Sequence, residues 1–532
     1  MSDPLPATTA DRAERFVLAV DLGTGGPKVG LVSLTGRVAW SGHSPVETHL
    51  LPGGGAVQDA AEWWELIRDA ARQAIASGAV RPEQVEAVSC TGQWSSTVPV
   101  DAGGTPVGPC VLWMDSRGAP YAKRVIAGPV AGYAPVPLAV WVRRTAGAPS
   151  TTGADPIGHM LHLIHDEPEV TRSARWFLEP VDYLSMRFTG VATASHASMT
   201  GAWLTDNRDL ERLDYDADLV RRSGVSAERL PPLRATGSVV GTVMPEVARS
   251  LGLRDGVQVV AGTPDLHSGA VGAGTVLDYE THLAISTTSW IGCSVPFKKT
   301  DVLHQIATVP GLTPDRYLVA NNHETGGACL QWLRDQVIAP ADGLGPAAPP
   351  AYAALTRAAA SVAPGAGDVL FTPWLSGERS PVDDRYARGG FHNLSLATTR
   401  PHLVRAVLEG VAYNSRWLHR AVEQFTKRRL DHLRFIGGGA QSDLWCQIHA
   451  DVLDRTIERV ADPVDANLRG AALLAGLALG AVRQGEVRDL VEVDATFRPD
   501  HGTRATYDRL FAEFPKLYKA QKSMFRRLNE PE

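Results

Sequence analysis

Three mostly apolar runs in this chain each break into a glycine-bearing turn. Val17 to Val20 runs into Asp21-Leu22-Gly23-Thr24-Gly25-Gly26-Pro27-Lys28, Val257 to Ala261 runs into Gly262-Thr263-Pro264-Asp265, and Leu433 to Ile436 runs into Gly437-Gly438-Gly439. A short apolar run ended by turn residues is the mark of a buried strand. In α/β sheets the loops at strand ends are where ligands sit. The feature therefore sets both a fold class and a place to look for function.

The rest of the first hundred residues supports the α/β reading. Phe16 onward reads as strand, Gly turn, strand (Lys28 to Leu34), turn, strand, with the Gly pair and Pro27 making the first turn. Residues 60 to 77 place Trp63, Leu66, Ile67, Ala70 and Ile75 at helical spacing, with Asp59 as N-cap. VEAVSCTGQ is again a strand entering a Gly turn. The order β-β-β-α-β predicts an α/β domain. From Val257 a loose echo begins: strand, acid-bearing loop and small-residue helix, then THLAISTTSWIGCSV as strand, Ser/Thr turn, strand, then LRFIGGG and a helix. The echo predicts two related α/β halves facing each other, with a boundary near residue 262. Residues 339 to 367, rich in Ala, Pro and Gly, read as a loop with one short helix.

Composition bounds the partners. Apolar residues are 44% and charged residues 21% of 532, enough apolar material for real cores and too much for a mainly disordered chain. The net charge is −6 with no basic block, a poor basis for nucleic-acid binding, so none is expected. Five spaced cysteines without Cys-x-x-Cys indicate neither a disulfide framework nor a zinc site. The N-terminal residues are polar and of mixed charge, without a signal-peptide core. The run Gly470 to Val482 is too short to span a bilayer and reads as a buried helix. No membrane partner is expected, and the chain is expected to be cytoplasmic.

Each motif has two readings. The Asp21–Lys28 turn can aim successive backbone N–H groups at one point, an anion nest suited to a triphosphate. Asp21 can hold Mg²⁺ through water, and Lys28 can add a cation near a transferring phosphoryl group. Taken alone, the same turn reads first as an ordinary hairpin, because Gly turns are common, and it is not a Walker loop. Asp265 can accept a hydroxyl proton at a strand end, or it can cap a helix. Three glycines at 437 to 439 let a flat ligand or a phosphate approach the backbone, or they make a turn. His159, His162 and His165 lie in one helix and read as core or surface histidines rather than a metal triad. Trp63, Trp64, Trp113 and Trp141 read as core, while Trp94, after a Gly turn, is open to a ligand role.

Together and in this order, these pieces resemble the FGGY family of carbohydrate kinases, most closely its xylulokinase-like members. The resemblance runs from about Phe16 to Gly480. Its most specific stretch is LFTPWLSGERSPVDDRYARGGFHNLSLATTRPHLVRAVLEGVAY, residues 370 to 413. GGGAQSDLWCQIHADVL resembles the family's adenosine motif and DLGTGGPK its first phosphate motif. The resemblance implies two actin-like, ribonuclease-H-like domains with a cleft between them. The first, 16–262, would hold the sugar and phosphate side. The second, 263–532, would hold the nucleotide and carry a C-terminal helical extension. It implies ATP, Mg²⁺ and transfer of the γ-phosphoryl group to a sugar or polyol, most closely a ketopentose such as xylulose. Ribulose, a pentitol, gluconate or glycerol are alternatives, as is a catalytically weak sugar- or nucleotide-binding sensor. A homodimer is compatible with the resemblance.

By resemblance Asp265 is the catalytic base, and Asp21 and Asp265 attend the metal. Thr24, Gly25, Gly26 and Lys28 form the first phosphate turn and Thr288 the second, with Gly327, Gln331, Gly439 and Asp443 touching the nucleotide. Gln93, Trp94, Ser95 and Asp115 join Asp265 on the sugar. Asp115 lies in Trp113-Met114-Asp115-Ser116-Arg117, which matches the family's Trp-x-Asp-x-Arg. The chain departs from xylulokinases where Gly92-Gln93-Trp94-Ser95-Ser96 replaces Gly-Gln-Met-His-Gly, and where His159-Met160-Leu161-His162 replaces Lys-Leu-x-Trp. Gly25 and Gly26 replace hydroxyl residues, leaving only backbone donors there. These changes alter the sugar pocket and the phosphate turn.

Overall fold

The computed structural model describes residues 14–130, 132–340, 342 and 348–530. The first apolar run forms strand β1 (Phe16–Gly23), buried along its first five residues. The turn Thr24-Gly25 leads into β2 (Gly26–Ser33), which pairs antiparallel with β1 and then with β3 (Val38–His43). Helix α1 (Ala60–Ala76) buries Trp63, Trp64, Ile67, Ala70, Ala71 and Ala74 along one stripe. The Asp59 carboxylate accepts the Ala61 N–H at 2.8 Å and caps the helix, as the sequence predicts. Strand β4 (Val85–Gly92) lies parallel to β1. With β5 (Val239–Thr242) and β6 (Gln258–Pro264) the sheet order is β5-β6-β4-β1-β2-β3.

Between β4 and β5 the chain builds a lobe of its own, which the strand-and-turn reading does not resolve. Its core holds Ile126, Trp141, Ile157, Met160, Leu161, Phe177 and Leu219. Helix α2 (Pro156–Asp166) carries the three histidines; His159 and His162 are buried, and His162 Nδ1 lies 2.8 Å from Asp166. Helix α3 (Pro180–Thr189) returns the chain to the first sheet.

Helix α4 (Asp265–Gly272) follows β6 directly. A second sheet then repeats the first: β7 (Thr281–Ile285) and β8 (Ser289–Val295) form a hairpin, extended by β9 (Thr300–Asp301), β10 (Ile306–Pro310) and β11 (Tyr317–Ala320). After helices α5 (Gly327–Trp332) and α6 (Arg400–Thr426) come β12 (His432–Ile436), α7 (Asp443–Leu453), β13 (Thr456–Val460), α8 (Ala466–Ala478) and β14 (Val493–Phe497). The order is β9-β10-β11-β8-β7-β12-β13-β14, with β7, β12 and β13 parallel as β1, β4 and β6 are. The echo in the sequence is thus a repeated sheet topology. Helix α9 (Arg504–Asn529) closes the described chain.

Helices α4 and α8 lie back to back between the sheets. Leu468, Ala471, Ala472 and Ala475 of α8 pack on Val17, Ala19, Val32 and Val260 of the first sheet. Leu266, Ala270 and Val271 of α4 pack with Ala284, Trp290 and Ile436 of the second half. Their approach is so close that a methyl at Gly470 would stand 1.9 Å from the Ser268 carbonyl oxygen. The apolar run from Gly470 is therefore a buried helix, though it ends at Ala478. Among the described residues no helix is long and apolar enough to cross a membrane, and the five cysteines are buried and unpaired.

Candidate active site

A cleft of about 1630 Å³ opens between the halves, lined by the turns after β1, β4, β6, β7 and β12. Two carboxylates meet in it. Asp21 stands near the end of β1, and Asp265 is the first residue of α4. Burial raises the Asp21 carboxyl, with the Lys28 charge and a hydrogen bond from Asn467 working against it. Burial likewise raises Asp265, to about 7; the Asp21 charge adds to the rise and the Leu266 N–H opposes it. Pro264 holds the N-cap position of α4, and among the described residues Asp265 accepts only the adjacent Leu266 N–H, at 2.8 Å. Capping the N2 or N3 donors is therefore not what this carboxylate does.

Three turns face the two acids. In the first, Trp113 Nε1 donates to Thr24 Oγ1 at 3.1 Å and Gln58 Nε2 to the Thr24 carbonyl at 2.7 Å. Gly25 has open space where a side chain would project. Lys28 lies 3.2 Å from Asp465 and donates to the Val464 carbonyl, so it ties the first half to the second. The second turn, Ser286-Thr287-Thr288, is held from behind: the Gly326 and Gly327 N–H groups donate to the Thr287 and Ser286 carbonyls at 2.8 and 2.7 Å. The third presents Gly437 and Gly438 to the cleft.

On the first half's side, Gln93, Trp94 and Ser95 line the wall. Trp94 Nε1 donates to the Ser198 carbonyl at 2.7 Å, and its ring stands edge-on to His267 at 6.5 Å. Ser95 takes a left-handed backbone, φ +63°. Trp203 adds a second indole, its Nε1 donating to Asp155 at 3.1 Å. Burial raises Asp155 to about 6 against the Gly158 and Ser150 N–H groups.

Among the described residues no group of three or more His, Cys, Asp or Glu could cage a metal. Asp21 and Asp265 are hard oxygen donors sharing one buried space, and the Asp21 charge raises the Asp265 carboxyl, a pair that suits Mg²⁺ held largely by water and phosphate oxygens.

The family model described as "FGGY family of carbohydrate kinases, N-terminal domain" matches residues 16–272, and its C-terminal counterpart matches residues 286–479. The chain belongs to the FGGY family of carbohydrate kinases. It is 27% identical to a xylulose kinase of Staphylococcus epidermidis over 524 residues, covering 96% of this chain and 98% of that protein. It is 24% identical to a gluconokinase of Bacillus subtilis over 520 residues, 96% and 97% of the two chains. The crystal structure of a ligand-bound xylulose kinase from Lactobacillus acidophilus superposes with a TM-score of 0.82 at 22% identity, covering 97% of this chain and all of that one. The protein is an ATP-dependent carbohydrate kinase with the two-domain α/β architecture of its family.

Of the positions that the family resemblance singles out, this kinase brings Asp21, Thr24, Gly25, Lys28, Gln93, Trp94, Ser95, Asp265 and Thr288 to one cleft. Six lie off its walls. Gly26, at φ +123°, backs onto the Ser44 carbonyl and serves the hairpin. Asp115 is wholly buried: its oxygens accept the Ala56 N–H at 2.8 Å and the Arg117 guanidinium at 2.7 Å, leaving it no free face for a sugar. Gly327 supports the second turn from outside, since a methyl there would stand 2.4 Å from the Ser286 carbonyl oxygen. Gln331 points outward on α5, Gly439 lies behind the third turn against Ile285, and Asp443, with its side chain 77% exposed, pairs with Arg459.

Other cleft residues escape a reading based on motifs. Trp113 was expected in the core and instead lines the cleft beside Thr24. Asn467 reaches Asp21 from α8, and Gly437 and Gly438 take the place expected of Gly439. Most distant in sequence are Lys519, Lys522 and Arg526 of α9. Their spacing of three and four on a helix puts them on one face, a signal readable in the sequence but silent about what that face meets.

Proposed function

We propose that this kinase transfers the γ-phosphoryl group of ATP to a hydroxyl of a ketopentose such as xylulose. The observation that carries the transfer is the buried Asp265 beside Asp21, between turns from both halves, with its carboxyl raised to about 7, and the similarity to xylulose kinases supports a ketopentose as the acceptor. A base with that affinity takes a proton near neutral pH. Asp265 accepts the proton of the acceptor hydroxyl as that oxygen bonds to the γ-phosphorus. The bond from the γ-phosphorus to the β–γ bridging oxygen breaks, and ADP leaves. The Thr24-Gly25 and Ser286–Thr288 turns present backbone donors to the phosphates, and Gly437 and Gly438 give the nucleotide close approach to the backbone. Asp21 and Asp265 are the residues that would hold Mg²⁺, which when bound neutralises phosphate charge. Trp94, Trp113 and Trp203 wall the acceptor from water, which would otherwise compete for the phosphoryl group. Five buried, unpaired cysteines agree with a cytoplasmic setting.

A second reading, an aldonate acceptor such as gluconate, is favoured by one feature. Lys123, Arg385, Lys519 and Lys522 line the cleft without an ion-pair partner among the described residues. A carboxylate on the acceptor would answer that charge. An ADP-release panel over ketopentoses, pentitols, ketohexoses, aldonates and glycerol decides between them. The highest kcat/KM is expected for a ketopentose; a preference for aldonates moves the assignment to the second reading. Release no faster than background with every acceptor would remove both.

A further inference from the structure

Two adjoining cavities, of about 330 and 230 Å³, open between α6 and α9 at the end of α7. They share Arg416, Arg420 and Arg504, and they share no lining residue with the catalytic cleft. Arg429 and Arg455 join the walls of the smaller one. Five guanidiniums thus surround a small space in the second half, apart from the cleft.

The charges there are not balanced by the protein. Asp508 is taken up by Arg416 and Arg504, Asp454 by Arg504, and Glu423 by Arg455. Arg429 pairs with Asp431 outside the walls. Arg420 has no carboxylate partner among the described residues; its guanidinium carbon lies 4.6 Å from the centre of the Phe511 ring. Arg416 is 3% exposed and stacks over the same ring at 4.4 Å. Its Nη1 is buried with no hydrogen-bond partner among the described residues, as is Arg455 Nε. A buried guanidinium nitrogen left without an acceptor is costly, and the neighbouring Arg420 and Arg504 charges add to the cost.

We propose that these cavities form a binding site for a phosphate dianion, free or as the head of a small phosphate monoester. The planar fork of arginine matches phosphate oxygens in pairs, and a dianion supplies the anionic acceptor that Arg420 lacks, beside the Arg416 and Arg504 charges. The site is distinct from the nucleotide and sugar positions and does not depend on which acceptor the enzyme phosphorylates.

Calorimetry on the full chain, with the cleft saturated by ADP, tests it. The probes are inorganic phosphate and ribose 5-phosphate, with chloride at matched ionic strength as control. Arg420 is exposed, so Arg420→Ala leaves the fold in place. That variant is expected to weaken binding roughly tenfold or more, and Arg420→Lys by less, because lysine keeps the charge and loses the fork. Binding of either probe in this pattern supports the site and tells its source: phosphate alone, or a monoester. Tungstate soaked into crystals should appear beside Arg416 and Arg420. No heat beyond that of chloride, equal affinity in Arg420→Ala, or tungstate confined to the cleft would overturn the proposal.

Discussion

Asp265 owes its chemistry to its surroundings. An aspartate in water stays ionised far below neutral pH, whereas burial beside Asp21 brings this one to about 7. Asp265→Asn keeps the shape and removes the proposed base, so kcat is expected to fall by about 10²–10⁴-fold with the thermal midpoint little changed. Wild-type kcat in that variant would deny Asp265 its role. Asp182 makes a contrasting case, a buried acid outside the cleft. It accepts the Ser198 hydroxyl at 2.6 Å and the Ser195 N–H at 3.2 Å, yet burial pushes it up to about 8. Its folded affinity for the proton exceeds its unfolded one. Its contribution to stability is thus fully present below about pH 4 and is lost as pH rises toward 8, by up to about 1.4 kcal/mol per unit. Asp182→Asn should therefore gain on the wild type between pH 5 and pH 7 in urea unfolding. A pH-independent difference would show that Asp182 does not hold its proton.

At the scale of elements, the turns do the work and the packing behind them decides how well. The Ser286–Thr288 turn rests on the N-terminal end of α5, where Gly327 meets the Ser286 carbonyl. Gly327→Ala adds a methyl that only a backbone shift can accommodate. Overpacking of this kind costs about 1–3 kcal/mol, and the shift falls on a proposed phosphate turn. We expect a lower melting temperature and a raised KM for ATP, with the sugar KM less affected. An unchanged ATP KM would mean the turn does not touch the nucleotide. The turn after β4 is where we propose that the other substrate lies. Trp94 and Ser95 stand where xylulokinase-like sequences carry Met and His, and Trp94 is pinned through Ser198. A pocket hydroxyl left without its partner costs about 1–3 kcal/mol, enough for a tenfold change in preference. Trp94→Met with Ser95→His should shift kcat/KM toward D-xylulose relative to the best native acceptor, at an unchanged ATP KM. A large drop in melting temperature with unchanged preference would return Trp94 to the core.

At the scale of the molecule, two repeated sheets face each other, and the residues that line the cleft are divided between them. Asp21 and Trp94 belong to the first half; Thr288, Gly437 and Gly438 belong to the second. Lys28 to Asp465 and the back-to-back helices α4 and α8 join the halves at the floor of the cleft. Closure about that floor would expel water from the acceptor. Small-angle scattering with sugar and a non-hydrolysable ATP analogue is expected to give a smaller radius of gyration than the free enzyme. The same radius in both states would argue for a cleft that is already closed.

Sequence alone determined what is local. Apolar runs ending in turn residues located β1, β4, β6, β7 and β12, and helical spacing with a capping aspartate located α1. The strand-end acids Asp21 and Asp265 were visible because alternation and breaks in hydrophobicity report where a strand stops. Tertiary structure decided which way each turn faces. Neighbouring glycines at 25 and 26, and at 438 and 439, read alike along the chain, yet one of each pair faces open space and the other is pressed against Ser44 or Ile285. Asp115 stood in a matching motif, but Arg117 and the Ala56 N–H claim its oxygens. Lys519 and Lys522 reach the cleft from the last helix, and Asn467 from α8. Spacing along a chain specifies the face of an element on which a residue lies. Only long-range packing, which brings distant elements together, specifies what that face meets.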